Sequence, residues 1–154
     1  MKLSTLCYLI KSNEVLLAMK KRGFGAGKFN GVGGKVEAEE SYEQSAVREI
    51  NEEVGVVVNM EDLECVGNLT FHSQNPDLNW KCRIFFIKKW QGNPSETEEM
   101  KPQWFSFQNV PYGKMWIDDA HWFPHVLKGD RIEGEFYFNK DGSKVENFSI
   151  KQIE

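Results

Sequence analysis

Three glutamates stand close together about a third of the way along the chain, at Glu49, Glu52 and Glu53. Residues three and four apart lie on one side of an α-helix, so a helix here would bring the three carboxylates together. Carboxylates this close repel one another, whereas a bound Mg²⁺, which prefers hard oxygen ligands, would remove the repulsion. A solvated acidic helix face is the alternative. The residue types and their spacing predict either a divalent-metal site or a plain acidic surface.

The flanking residues predict that this segment is a helix. Ser41 is a good N-cap, and Gln44 completes a capping box with it. Gly55 is the residue type that ends a helix in the left-handed conformation. The helix is expected to pack through an apolar stripe formed by Val47, Ile50 and Val54. The three glutamates would lie about opposite this stripe.

A longer pattern contains the same glutamates. From Gly34 the chain runs through five residues to Glu40, through seven more to Arg48-Glu49-Ile50, and on through Glu52-Glu53 to Gly55-Val56. These residues match every fixed position of the Nudix box, GX5EX7REUXEEXGU, in which U is aliphatic. A pattern of this length should almost never arise by chance. The chain therefore resembles the Nudix hydrolases.

The resemblance implies a fold and a metal-dependent reaction. The fold would be an α+β arrangement, an α/β/α sandwich with a mixed sheet and a catalytic loop-helix-loop. Members of the family hydrolyse a nucleoside diphosphate linked to another group, with Mg²⁺ or Mn²⁺. Matched residue by residue, the metal ligands would be the Gly33 carbonyl, Glu49, Glu52 and Glu53. Arg48, four residues before Glu52, would pair with a carboxylate there and orient it, and an ordinary exposed ion pair along the helix is the alternative.

Three segments outside the box resemble one branch of the family more closely. Residues 19–36, 98–105 and 110–124 are similar to the animal MutT-type enzymes that hydrolyse oxidised purine nucleotides such as 8-oxo-dGTP and 2-hydroxy-dATP. The match implies a set of substrate-binding residues, namely Thr5, Lys20, Asn30, Gly33, Gly34, Lys35, Phe71, Trp116, Asp118 and Asp119. Trp116 would stack on the base, with a core aromatic as the alternative. Glu99 would be a further metal ligand, although by its position alone it is an ordinary loop glutamate.

The adjacent acids Asp118 and Asp119 allow two interpretations. An N-cap followed by an acid in the first turn of a helix suits both residues. Between aromatic walls, however, burial and mutual repulsion would make one of the two hold a proton. The pair would then offer a donor and an acceptor to 8-oxoguanine, and moving the proton would let it accept an adenine derivative.

Four positions depart from the animal branch, namely Phe29, Val32, Ser73 and Trp80. The sequence therefore leaves the base open, and a broad purine triphosphatase or an O6-methyl-dGTP hydrolase stays an alternative. A Nudix-fold module that binds a nucleotide without hydrolysing it is a second alternative, which the intact Glu49, Glu52 and Glu53 disfavour.

The bulk properties set the remaining expectations. A length of 154 residues fits one domain, residues 1–154. The net charge of −4 argues against binding a nucleic acid polymer, but not against a free nucleotide paired with a cation. No run approaches the roughly 20 apolar residues that cross a bilayer. The odd number of cysteines favours reduced thiols in a cytoplasmic protein, which we expect to be a monomer.

Alternating or β-rich runs between turn signals predict seven strands, at residues 3–10, 15–20, 63–71, 82–90, 103–107, 132–138 and 145–150. A second helix is expected from Asp118 or Asp119 to Leu127. Pro124 should either lie in a short first turn or break that helix. Strands flanking two helices favour a mixed sheet packed between them.

Overall fold

The computed structural model describes residues 1–154. The chain forms eight strands and two α-helices, joined by loops and short 3-10 turns. The strands are β1 (Lys2–Lys11), β2 (Glu14–Lys20), β3 (Phe29–Asn30), β4 (Leu63–His72), β5 (Trp80–Ile87), β6 (Met100–Ser106), β7 (Arg131–Phe138) and β8 (Val145–Ile153). The helices are α1 (Tyr42–Val54) and α2 (Asp119–Leu127). No helix of the chain combines the length and the apolar character needed to cross a bilayer.

The sheet is mixed, as predicted, and its strand order is β3-β2-β1-β5-β4-β7-β8, with β6 paired to β2. The pairs β1–β5 and β4–β7 are parallel, and the other pairs are antiparallel. Strands β1 and β2 pair only beside their turn, at Ile10–Val15 and Lys11–Glu14. Beyond that turn β2 pairs with β3, while β1 forms bridges with the residues that follow β3. Residues 29–36 therefore run between the two strands.

Alternating residues of the central strand point to two separate apolar layers. Cys7 and Leu9 belong to the layer that contains α1, whereas Tyr8 and Ile10 belong to the layer that contains α2. The helices cover these layers with Ala46, Ile50 and Val54 from α1, and with Trp122, Phe123 and Val126 from α2. A strand buried on both faces needs apolar residues at consecutive positions, which explains why β1 reads as a continuous hydrophobic run. The predicted sandwich of helix, sheet and helix is confirmed.

Helix α1 begins and ends as its sequence predicts. The Ser41 side chain accepts a hydrogen bond from the Gln44 amide, and the Gln44 side chain accepts one from the Ser41 amide. Gly55 has φ 75° and donates its N–H to the Asn51 carbonyl. Both ends of the helix are therefore fixed by local interactions, which holds its side chains in one register relative to the sheet.

The predicted packing face of α1 needs a correction. Val47 is only half-buried, and the stripe that contacts the sheet is Ala46, Ile50 and Val54, at spacings of four. Glu53 is buried beside this stripe, so the three glutamates do not all lie opposite it. The sequence pattern missed this because alanine and valine are equally compatible with a stripe, and packing against β1 selects between them.

Helix α2 contains Pro124 in its interior without being broken, so both predicted alternatives, a place in a short first turn and an interruption of the helix, are wrong. The proline removes the N–H that would bond to the Ala120 carbonyl. The helix nevertheless continues to Leu127, since the fully buried Trp122 and Phe123 pack it against the sheet. Tertiary packing thus outweighs the loss of one helical hydrogen bond.

All seven predicted strands are present, and their bounds differ in places. The strand predicted at residues 82–90 lies at Trp80–Ile87, and the strand predicted at residues 103–107 begins earlier, at Met100. The predicted strand began after Pro102 because a proline disfavours a central strand. Strand β6, however, is paired on one side only, and a proline is tolerated there. The two-residue β3 was not predicted, because it is defined by long-range pairing with β2.

Candidate active site

The loop before α1 lies along β1 and is held there by its backbone. Thr5 donates its N–H to the Gly34 carbonyl at 3.0 Å, and Val36 donates to the Leu3 carbonyl at 2.9 Å. Cys7 and Val32 form a bridge further along the strand. Residues 31–36 therefore behave as an additional strand edge beside β1, which brings the glycine-rich loop over the side chains of α1.

Gly33 and Glu53 make the central contact between loop and helix. The Gly33 N–H donates to Glu53 Oε1 at 2.7 Å. Burial raises the pKa of Glu53 to about 8, the Gly33 N–H opposes this rise, and the negative charges of Glu49 and Glu99 add to it. No backbone N–H donates to the Gly33 carbonyl, which is left free to accept another partner. Glu53 is thus a buried carboxyl that holds a proton more readily than an ordinary glutamate.

The close approach of Gly33 to β1 gives a stability prediction. A Cβ on Gly33 would overlap the Thr5 carbonyl oxygen, which is backbone and cannot move aside. Gly33→Ala is expected to lower the free energy of unfolding by about 1–3 kcal/mol, as overpacking does in a core. Urea unfolding measures the change. Gly113→Ala is the matched control, because a Cβ there has nothing within 4 Å. Equal stabilities of the two variants would contradict the tight packing of the loop.

Arg48 is held mainly by Glu40, a partner that the sequence reasoning did not assign to it. Its Nε and Nη2 donate to the two oxygens of Glu40 at 2.8 and 3.0 Å, and its Nη1 donates to Glu49 at 2.9 Å. The predicted pairing with Glu52 is present but longer, at 3.3 Å. The Arg48 guanidinium lowers the pKa of Glu40 to about 2. The spacing between Glu40 and Arg48 in the box therefore corresponds to a bidentate ion pair. This pair holds Arg48 in the position from which its Nη1 binds one oxygen of Glu49.

The remaining carboxylates surround the glycine loop. Glu49 lies next to Gly34, where an added Cβ would stand 2.7 Å from its Oε1. Burial raises the pKa of Glu49, Arg48 lowers it, and the charges of Glu52 and Glu99 raise it further. The charge of Glu99, from the loop before β6, raises the pKa of both Glu49 and Glu53. Glu99 therefore lies in the same region as the three glutamates of α1. Glu52 is the most exposed of the three helical glutamates.

The carboxylates around the glycine loop suit a divalent cation by their chemistry, although they do not form a closed site. No three acidic side chains converge on one point here. Glu49 Oε1 accepts a hydrogen bond from Arg48, and Glu53 Oε1 accepts one from Gly33. The residues nevertheless offer only hard oxygen donors, which Mg²⁺ and Mn²⁺ prefer. Burial and mutual repulsion disfavour the charged carboxylates, and a cation would relieve both effects. The chemistry of the site fits a divalent ion, and the assignment of individual ligands remains a prediction.

A cleft of about 320 Å³ opens beside the carboxylates. All ten predicted substrate-binding residues line it, together with Glu53. These ten are Thr5, Lys20, Asn30, Gly33, Gly34, Lys35, Phe71, Trp116, Asp118 and Asp119. The structure thus brings together residues from widely separated parts of the sequence, while their individual roles remain predictions.

Trp116 forms one wall of the cleft and is half-buried. Phe24 packs on it with ring centroids 5.2 Å apart, and the Lys28 Nζ lies 5.4 Å from its ring centroid. Gly25 lies against the same ring, where an added Cβ would be 3.1 Å away. Sequence reasoning did not assign Phe24, Gly25 or Lys28 to the site. The available signal was the run of glycines at positions 23, 25 and 27, whose positive φ values shape the loop that reaches Trp116.

Asp118 and Asp119 are buried at the cleft, and the capping interpretation of Asp118 is wrong. Its side chain makes no cap hydrogen bond and accepts instead from the Trp122 indole N–H at 2.8 Å. Asp119 Oδ2 is buried without a hydrogen-bond partner. Burial raises the pKa of Asp118 to about 6, although the Trp122 N–H opposes this, and burial together with the charge of Asp118 raises the pKa of Asp119 well above its ordinary range. The pair therefore favours sharing a proton.

Of the four positions that depart from the animal branch, one lines the cleft. Trp80 is on its wall, and the Trp80 indole N–H donates to the Asp77 carbonyl at 2.7 Å. Phe29 and Val32 are buried in the two apolar layers, and the Ser73 hydroxyl donates to the Asn139 carbonyl. Of the four departures, only the one at Trp80 therefore alters the lining of the cleft.

Comparison with known proteins agrees with this geometry. Residues 2–126 match the NUDIX domain. An oxidized purine nucleoside triphosphate hydrolase of Danio rerio is 43% identical over 146 residues, which cover 95% of this chain and 92% of that protein. A Mus musculus protein of the same name is 39% identical over 153 residues, covering 99% and 96%. The crystal structure of a MutT protein from Bacillus halodurans gives a TM-score of 0.84 at 26% identity, over 98% of both chains.

The chain belongs to the Nudix family and is a Nudix hydrolase. The Nudix fold predicted from the box is thereby confirmed. Nudix hydrolases generally use divalent metal ions, in agreement with the oxygen donors gathered around the glycine loop.

Proposed function

We propose that the protein hydrolyses oxidised purine nucleoside triphosphates, such as 8-oxo-dGTP and 2-hydroxy-dATP, to the monophosphate and pyrophosphate. One observation carries the proposal. A single cleft joins the buried Asp118–Asp119 pair to Glu53, so that a base-reading group and a phosphate-cleaving group line the same space. The similar proteins of Danio rerio and Mus musculus are named oxidized purine nucleoside triphosphate hydrolases, which supports the same substrate class. We further propose a monomer that acts in the cytoplasm on free nucleotides, not on a nucleic acid polymer.

The phosphate end of the cleft has the groups that such a reaction requires. Lys20 and Lys35 line it and carry positive charge toward the phosphates. With Mg²⁺ bound by Gly33, Glu49, Glu52, Glu53 and Glu99, the metal would neutralise phosphate charge and lower the pKa of a bound water; Mn²⁺ could substitute for it. Glu53 Oε1 is held by Gly33, which leaves Oε2 to take a proton from the attacking water.

The base end of the cleft has an aromatic wall and a donor–acceptor pair. Trp116 offers a ring face on which the base can stack. Phe71 also lines the cleft; it is paired with Trp80 across β4 and β5, and its ring centroid lies 5.7 Å from that of Phe138. The N7–H of 8-oxoguanine is a donor beside the O6 acceptor. An ionised acid and a protonated one, such as Asp118 and Asp119, complement those two groups. Movement of the shared proton would let the same pair meet an adenine derivative.

Two other activities stay open as alternatives. One alternative is hydrolysis of a broader range of purine triphosphates that includes O6-methyl-dGTP. It is favoured by Trp80, which lines the cleft at a position that departs from the animal branch. A nucleotide-binding module without turnover is disfavoured because Glu49, Glu52 and Glu53 are all present, and simple binding does not require the complete set of carboxylates.

Product analysis tests the proposal. The protein is incubated with 8-oxo-dGTP and Mg²⁺, and pyrophosphate and inorganic phosphate are measured separately. We expect pyrophosphate and monophosphate, loss of turnover in EDTA, and recovery when Mg²⁺ or Mn²⁺ is restored. Release of inorganic phosphate alone would contradict the proposed cleavage. Binding without any product would favour the module.

A further inference from the structure

The loop at residues 95–99 is joined to the end of helix α1. The last carbonyls of a helix have no partner within it. Here Ser95 donates its N–H to the Val54 carbonyl at 3.0 Å, and the Thr97 hydroxyl donates to the Glu53 carbonyl at 3.0 Å. The 95–99 loop therefore satisfies two carbonyls of the helix that carries the predicted metal ligands.

The hydroxyl of Thr97 also organises the loop itself. It accepts hydrogen bonds from the Glu99 N–H at 3.3 Å and the Met100 N–H at 3.2 Å. A hydroxyl has one donor hydrogen and two acceptor lone pairs, and all three are used here. The same oxygen atom thus links the backbone of Glu53 to the backbone of Glu99.

The other side of the loop is attached to the end of β2. Lys21 donates its N–H to the Glu99 carbonyl at 2.8 Å, and its Nζ donates to the Thr97 carbonyl at 2.9 Å. The Glu99 side chain is mostly exposed, and its ion pair with Arg22 is long, at 3.9 Å. Its carboxylate is therefore placed by the backbone that carries it, and Thr97 fixes that backbone relative to α1.

We propose that Thr97 is a positioning residue that holds the Glu99 carboxylate at the place where it can share a divalent cation with Glu53. The inference rests on the proposed function, because it takes Glu53 and Glu99 as metal ligands. Thr97 does not touch the cation. It acts through the geometry of Glu99, so its contribution must vanish when the Glu99 carboxylate is absent.

Direct titration with Mn²⁺, by calorimetry and without nucleotide, tests the inference. Thr97→Val removes the hydroxyl at nearly constant shape and is expected to weaken Mn²⁺ binding about tenfold, as loss of a group that orients a ligand commonly does. Thr97→Ser keeps the hydroxyl and should bind within about twofold of the unsubstituted protein. Thr97→Val combined with Glu99→Gln should bind no more weakly than Glu99→Gln alone.

Kinetics provide a second readout. At limiting Mn²⁺, Thr97→Val should lose turnover, while at saturating Mn²⁺ its KM for the nucleotide should equal that of Thr97→Ser. Additive effects of Thr97→Val and Glu99→Gln would overturn the inference, because Thr97 would then stabilise α1 in general. Weak Mn²⁺ binding by Thr97→Ser, similar to that of Thr97→Val, would also overturn the inference. Unfolding of both Thr97→Val and Thr97→Ala at the assay temperature would overturn it as well. Absence of Mn²⁺ binding by the unsubstituted protein would also overturn it, whereas intact binding without hydrolysis would overturn only the proposed function.

Discussion

Glu53→Gln is expected to reduce kcat for 8-oxo-dGTP on the order of 10³-fold, within the range for loss of a group that transfers a proton. The substituted amide still accepts the Gly33 N–H, so the loop should keep its place on the helix. What is lost is the ability to take a proton and to carry charge toward a cation. Steady-state pyrophosphate release measures the effect. Glu43→Gln, in the first turn of the same helix, is the matched control and should change little.

The same substitution has a consequence for stability in the absence of metal. Burial raises the pKa of Glu53 to about 8, so between its ordinary pKa of 4.5 and 8 the folded protein binds more protons than the unfolded chain. The stabilisation from the protonated carboxyl is full below the lower value and is lost as the pH rises through the upper one. Urea unfolding in EDTA should show this loss for the unsubstituted protein, and Glu53→Gln should lack it. An identical pH dependence of the two would contradict the raised pKa.

Asp118→Asn and Asp119→Asn are each expected to lower kcat/KM for 8-oxo-dGTP by about 10- to 100-fold, the equivalent of one unsatisfied buried polar group. Asparagine at position 118 cannot supply an ionised acceptor, although it can still accept from the Trp122 indole. Asparagine at position 119 cannot move a proton, and its second N–H would be buried where Oδ2 has no partner.

The pH dependence and the substrate ratio separate this account from simple damage to the cleft. Because the pKa of Asp118 is raised to about 6, its acceptor is lost as the pH falls through that value, and kcat/KM for 8-oxo-dGTP should fall with it. The ratio of kcat/KM for 8-oxo-dGTP over 2-hydroxy-dATP should also change in both variants. Asp62→Asn, which does not line the cleft, serves as a control. Values within about twofold for both Asn variants would refute the role of the pair.

Local signals predicted the parts of the fold that local interactions determine. The caps at Ser41 and Gly55 depend on residues three or four positions away, and both were readable in the sequence. The two-residue β3 and the path of residues 29–36 depend on pairing with β1 and β2, which no local pattern reports. Pro124 shows the converse case, where a local rule was overruled by the packing of its neighbours.

The candidate site divides in the same way. The box placed Glu49, Glu52 and Glu53 on one helix, but their unequal burial follows from how α1 meets the sheet. The ion pair between Glu40 and Arg48 joins a loop to the helix and could not be derived from helical spacing. The hydrogen bonds of Thr97 link a loop to a helix end more than forty positions away. Such contacts become visible only when the tertiary structure is known.

The most direct test of the central claim is the ratio of kcat/KM for 8-oxo-dGTP to that for dGTP, measured side by side in Mg²⁺ with pyrophosphate as the product. Trp116, Asp118 and Asp119 line the cleft that also holds Glu53, and dGTP lacks the N7–H that the acid pair would accept. We therefore expect a ratio of at least about 10, the worth of one specific hydrogen bond in a buried site. Equal kcat/KM for the two nucleotides would contradict the proposed recognition of oxidised purines.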